Sequence, residues 1–276
     1  MRSALIAVFT FLLVYVIPTN GQQSSLALAQ SSQPVQKDTT AVAILGRMIA
    51  ATGWTATNLP RDVTVQANVT RYSGEVLDGT NVIGATFKLK GALEARIEFS
   101  EHGETSTTII HDKAGVIFAP DGSKQVLPVQ SAIGLRPNIV PFLTDLIQIS
   151  DPAVAIQYFG LKTVGGNSCY GVLIARQPDP SDRLAATLTL SSPITMWIST
   201  TTLLPVQVDY VRLAADNQYV VVHFTRTYSD YRTVNGLAVA FLQEESVEGQ
   251  RMYRTQFTNV QFNSGLVDPD FALPRI

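Results

Sequence analysis

From about residue 61 onward the chain repeats with a period of two, and that alternation limits the fold more than any other feature. Val63, Val65, Ala67 and Val69 alternate with Thr64, Gln66, Asn68 and Thr70. Thr86-Phe87-Lys88-Leu89-Lys90 does the same, and Leu93, Ala95, Ile97 and Phe99 alternate with Glu94, Arg96 and Glu98. Successive side chains on a strand point to opposite faces, so these runs predict antiparallel strands with one dry face and one wet face. Shorter strands near 105–110 and 115–119 lead into Pro120-Asp121-Gly122-Ser123, a hairpin turn with glycine where a positive φ is wanted. Strands are expected again at 154–162 and 168–177, joined through Gly165-Gly166-Asn167, and then near 185–190, 194–199, 205–213 and 219–231. Asn235-Gly236 and Glu248-Gly249 each sit between two β-rich runs and read as tight turns of a three-strand meander. Pro269 and Pro274 end the chain in an extended tail. The pattern amounts to roughly ten or eleven strands.

Two segments depart from it. Ala41, Ile44, Leu45, Met48 and Ile49 recur at helical spacing, with Asp38, Thr39 or Thr40 as N-cap and Gly53 as the residue that ends the helix. Ile139, Phe142, Leu143, Leu146 and Ile147 recur likewise over 138–149, with Pro141 in the first turn and Asp151-Pro152 as the stop. The fold class is therefore mainly β with two short helices. Residues 39–276 show no break in composition and are read as one domain. Two short helices cannot cover the dry face of ten strands. Either the sheet closes on its own side chains, or it stays open under the helices and leaves an apolar cavity. Periodicity nominates Leu45, Met48, Ile49, Phe142, Leu143, Leu146, Ile97 and Phe99 as lining residues, with Trp197 as a weaker candidate.

The N-terminus carries the most specific local signal. Arg2 precedes a charge-free run, Ala4 to Ile17, that Pro18 interrupts, and Ala27-Leu28-Ala29 follows as a small-x-small pattern. The run is short of the roughly 20 residues a membrane-spanning helix needs. Residues 1–29 are read as a signal peptide cut after Ala29, with an uncleaved anchor as the rival, and 30–38 as a polar flexible leader. With 20 Lys and Arg against 22 Asp and Glu, scattered along the chain, there is no basic face for nucleic acid.

Chemistry-bearing motifs are scarce. His102, His111 and His223 have no metal-site spacing, and the single Cys169 has no disulfide partner and reads as a buried thiol. Gly166-Asn167-Ser168-Cys169-Tyr170-Gly171 misses the nucleophile elbow by one residue and lies between strands rather than at a strand-to-helix turn. Glu244 and Glu245, adjacent on a strand, must point to opposite faces and cannot share a proton-transfer site. No catalytic residue, metal ligand or cofactor site is assigned, and the chain is not read as an enzyme.

The C-terminal third carries a resemblance. Met196-Trp197-Ile198-Ser199, Leu204-Pro205-Val206-Gln207-Val208, the run Tyr228-Ser229-Asp230-Tyr231-Arg232-Thr233-Val234-Asn235-Gly236-Leu237, Phe257-Thr258-Asn259-Val260 and the tail Phe271-Ala272-Leu273-Pro274 resemble the LolA/LolB-like superfamily of periplasmic lipoprotein carriers. Ser199 stands where relatives often have Asp, and there is no lipid-acceptor cysteine. The resemblance implies an open, curved antiparallel sheet, an incomplete barrel with a helical lid, located in the periplasm. It also implies that acyl chains of a lipid or acylated protein are sheltered inside. Burying a methylene is worth about 0.8 kcal/mol, so shielding about eight yields roughly 6 kcal/mol. A non-catalytic envelope module that docks a protein partner on the same fold is the alternative, with a secreted hydrolase third.

Overall fold

The computed structural model describes residues 36–54, 60–72, 82–91, 93–134, 149, 151–177, 181, 185, 189, 192–213 and 220–274. The expected second helix over 138–149, with Phe142, Leu143 and Leu146, lies outside them, as do residues 1–35.

The first helix, α1 (Thr39–Thr52), forms as its sequence dictates. Asp38 is the cap: its carboxylate accepts from the amides of Thr40 at 2.7 Å and Ala41 at 3.1 Å, satisfying two N–H groups the helix cannot. Gly53 ends it at φ 75°, a left-handed conformation that costs glycine nothing. Ala41, Ile44, Leu45 and Met48 form its buried stripe.

Among the described residues thirteen strands follow, rather than the ten or eleven expected: β1 (Asp62–Arg71), β2 (Val82–Lys90), β3 (Glu94–Glu101), β4 (Glu104–His111), β5 (Ala114–Phe118), β6 (Lys124–Leu127), β7 (Val154–Val164), β8 (Asn167–Arg176), β9 (Ile194–Ser199), β10 (Pro205–Leu213), β11 (Val221–Val234), β12 (Leu237–Val247) and β13 (Gln250–Phe262). A one-turn helix, α2 (Val129–Gly134), follows β6. All thirteen strands belong to one antiparallel sheet in the order β6-β5-β4-β3-β2-β1-β13-β12-β11-β10-β9-β8-β7. Each strand pairs with its neighbour in sequence, except that β1 pairs with β13 and β6 and β7 do not meet. The sheet is thus an open, curved meander whose two edges are consecutive strands.

The tight turns obey their local chemistry. Asn235-Gly236, Glu248-Gly249 and His102-Gly103 place both residues at positive φ, the backbone that suits the twist of the flanking strands. The β7 edge is partly covered, because Lys37 forms a parallel bridge with Ile156 and its ammonium donates to the carbonyls of Ile149 at 2.6 Å and Asp151 at 2.8 Å.

Three expectations need correction. Of the strand expected near 185–190, the described residues 185 and 189 are helical instead, and the Thr189 hydroxyl donates to the Ala185 carbonyl at 2.8 Å, a one-turn contact. Leu184 to Leu190 alternates in polarity, but it is rich in Ala and Leu, which favour helix, and a short alternation does not decide the period. The four-residue β6 was too short to register as a strand, and pairing with β5 defines it. The tail is not simply extended: Asp268–Phe271 is a 3-10 turn on β3 and β4, and Phe271 is fully buried.

Candidate ligand-binding face

The face of the sheet that α1 packs against is called the inner face. On β7 to β11, Val154, Ile156, Val172, Ile174, Ile194, Met196, Ile198, Val208, Val222 and Phe224 form one buried cluster with Ala41, Ile44, Leu45 and Met48 of the helix. Trp54, just past α1, joins a second cluster with Val65, Ala67, Val239, Phe241, Phe257 and Phe262. Register carries the same face outward through β2 and β3, where Ala85 pairs with Phe99, Phe87 with Ile97 and Leu89 with Ala95. On β4 and β5, Ile110 and Ile117 continue it, with α2 supplying Ala132. One apolar surface therefore runs across all thirteen strands.

A charged belt interrupts it. Arg226 pairs across the sheet with Glu245, Glu245 with Tyr253, and Tyr253 with Arg71, so four consecutive strands, β11, β12, β13 and β1, place these side chains in one row. The Arg226 Nε donates to Glu245 Oε2 at 3.0 Å, its Nη2 donates to the same oxygen, and the Tyr210 hydroxyl donates there at 2.6 Å. Arg212 donates to the Tyr210 hydroxyl at 3.3 Å and lies over the rings of Tyr210, at 5.1 Å, and Phe224, at 4.7 Å. The Arg71 guanidinium lies 5.9 Å from the Phe99 ring. Burial disfavours the charged form of Glu245, but Arg226, Arg212 and the Tyr210 hydrogen bond outweigh it and hold the carboxyl at about 2. Burial raises the Tyr210, Tyr228 and Tyr253 hydroxyls, which stay protonated. The Tyr228 hydroxyl is buried without a hydrogen-bond partner among the described residues.

The residues nominated from sequence are distributed as follows. Leu45 and Met48 are buried against the first cluster, and Ile49 packs between both clusters. Ile97 is buried on β3, and Phe99 meets Phe87 edge to face at 6.2 Å on the same face. Trp197 stands apart: it lies between Met196 and Ile198 and so projects from the outer face. There its indole N–H donates to Asp209 at 2.7 Å, Lys162 lies 4.9 Å above the ring, and Gly171 leaves room beneath. No local motif marks the belt, because its arginines are scattered along the chain. Its signal was phase: Arg226 stands in step with Phe224 and Tyr228, and Arg212 with Val208 and Tyr210, at positions that should be dry.

Other expected features keep structural roles. Cys169 is fully buried, and burial raises its thiol pKa. His223 is exposed between buried Val222 and Phe224. Glu244 and Glu245 diverge, Glu244 toward Arg251 at 3.6 Å. The Ser199 hydroxyl accepts from the amides of Thr201 and Thr202 at 3.3 and 3.2 Å, closing the β9–β10 turn. Asp230, at φ 51°, is clamped by Arg232 at 2.7 and 3.1 Å, and the Tyr231 hydroxyl donates to the Pro205 carbonyl at 2.8 Å. These motif residues shape turns and strand contacts. Among the described residues no three His, Cys, Asp or Glu side chains converge as a metal site.

No protein-family model and no curated protein sequence matches the chain. Solved structures do. A putative outer membrane lipoprotein-sorting protein domain from Vibrio parahaemolyticus superposes with a TM-score of 0.54 at 10% identity, covering 84% of this chain and 96% of that one. A LolA superfamily protein from Nitrosomonas europaea gives 0.52 at 12% identity, covering 84% and 97%. The fold is LolA-like. A DUF1329 family protein from Desulfovibrio piger is similar to the same degree, with a TM-score of 0.53 at 14% identity, covering 87% of this chain and 98% of that one. The LolA-like resemblance read from the C-terminal turns thus holds for the fold along most of the chain. At these identities the likeness speaks for fold alone.

Proposed function

We propose that the protein is a periplasmic carrier that shelters the acyl chains of a lipid or lipoprotein against the inner face, after removal of residues 1–29 as a signal peptide. One observation carries this reading. Among the described residues the inner face is apolar across thirteen strands and the sheet does not close, so the surface ends at two edge strands, β6 and β7. An apolar sheet closed on itself would be filled core; an open one has a side from which a chain can enter between sheet and helix. The LolA-like neighbours, one of them described as a lipoprotein-sorting domain, support the same use. Among the described residues no helix is long and apolar enough to cross a membrane.

The test is native mass spectrometry of the mature protein, Gln30 onward, purified from a bacterial envelope and followed by organic extraction. Co-purifying lipid or acylated protein is the expected result. A clean apo mass, together with no uptake of a fluorescent fatty acid, refutes the carrier. It would favour docking of an envelope protein instead, for which Phe159 and Leu161, 55% and 64% exposed on the edge strand β7, offer an apolar surface.

A further inference from the structure

Guanidinium groups on an apolar face need a reason. Three of them, Arg71, Arg212 and Arg226, stand on the inner face, and the belt contains one carboxylate, Glu245. Arg226 is neutralised by it. Arg212 and Arg71 have no carboxylate within ion-pair distance among the described residues; each instead rests on aromatic rings, Arg212 on Tyr210 and Phe224, Arg71 on Phe99. The belt therefore carries an excess of two positive charges, on Arg71 and Arg212, both half-buried beside the apolar face. Two adjacent tyrosine hydroxyls sharpen the point. Tyr210 is already committed to Glu245, while the Tyr228 hydroxyl, one pleat from Arg226 on the same face, is buried with no partner among the described residues. A buried donor left unpaired and cations left uncompensated are both costly, and one group removes both costs: an anion that accepts hydrogen bonds. The side chains of Arg226 and Glu245 keep 15% and 12% exposure and those of Arg71 and Arg212 are half-buried, so the belt is not sealed from solvent.

We propose that this belt receives the anionic head, phosphate or carboxylate, of an amphiphile whose chain lies on the apolar inner face on either side. The inference rests on the carrier reading and narrows its substrate class. Arg226 is held in place and neutralised by Glu245. Arg212, kept flat by its two rings, and Arg71, three strands away in the same row, present the charges that bind. Strands lie about 4.8 Å apart, so Arg226 and Arg71 stand roughly 14 Å from one another, with Tyr253 and Glu245 between them. The head is therefore engaged from one flank at a time, most directly beside Arg212, Arg226 and Tyr228.

The experiment compares dodecyl phosphate, dodecanol and inorganic phosphate by isothermal titration calorimetry on the mature protein, each amphiphile kept below its aggregation concentration. Dodecyl phosphate is expected to bind at least tenfold more tightly than dodecanol. In Arg212→Gln that preference should shrink to within about threefold while dodecanol affinity holds, a split that a general loss of packing would not produce; Arg71→Gln supplies a second, independent variant. Equal affinity for the two amphiphiles overturns the inference and leaves the carrier. Binding of neither amphiphile overturns the carrier reading and the inference with it. Inorganic phosphate binding as tightly as dodecyl phosphate overturns the lipid source and makes the belt a site for a free anion.

Discussion

Glu245→Gln is the perturbation that most directly measures what the charged belt does to the fold. Glutamine keeps the shape and can still accept from Arg226 and Tyr210, so the change removes little but charge. The magnitude follows from the carboxyl. It titrates at about 2 in the folded protein, against 4.5 for the free side chain. At about 1.36 kcal/mol per pH unit this depression corresponds to roughly 3 kcal/mol of stability at neutral pH. Breaking a buried ion pair from one side costs about 3–5 kcal/mol, a separate route to the same size. The sign is fixed by the depression. The contribution is fully present above about pH 4.5, less than half remains near pH 3, and it is gone below about pH 2. Urea denaturation is the assay. With a slope of about 3 kcal/mol per molar urea, the variant midpoint should fall by about 1 M at pH 7. The gap to the wild type should narrow steadily as the pH is lowered to about 2, even though both proteins weaken there. A shift under about 0.3 M at pH 7, or a gap that does not change with pH, would show that Arg226 does not depend on this carboxylate.

Further expectations concern the elements that hold the inner face. Gly46, exposed within α1 with open space where a Cβ would stand, should tolerate Ala and gain about 1 kcal/mol, read as a rise in thermal midpoint. Gly53→Ala should do the reverse by about 2–3 kcal/mol, since φ is 75° and a Cβ would sit 2.4 Å from the Gly236 carbonyl oxygen in the β11–β12 turn. Phe271→Ala should cost about 3–5 kcal/mol in urea melts, because the tail ring is fully buried against β3 and β4. Cys169, fully buried with its thiol pKa raised by burial, should resist a disulfide reagent in the native protein and react at once in denaturant; rapid native labelling would contradict its placement.

How much of this was legible depends on the range of the interactions involved. Strands and turns are written locally: Val63 to Val69 shows its dry face by period, and Asn235-Gly236 and Glu248-Gly249 mark hairpins because few residues accept two positive φ angles in a row. The cap at Asp38 and the stop at Gly53 are equally local. Errors arose where the local signal was short or ambiguous, as with the four residues of β6 and the Leu184 to Leu190 run.

The sequence by itself determined a β-rich chain with one dry face, its turns, its first helix and, through the turn motifs of its C-terminal third, its LolA-like character. Only the tertiary structure decided which strands meet. The pairing of β1 with β13, in which Val63 lies opposite Phe262, closes a loop of nearly the whole domain and leaves the edges at β6 and β7. That same pairing puts Arg71 in the row of Arg226, Glu245 and Tyr253, residues that periodicity could not connect. A one-residue step on β9 separates Trp197 from Met196 by the thickness of the sheet. Period states that a side chain lies on a face; register states which side chains share it, and register is set by contacts between segments far apart in the chain.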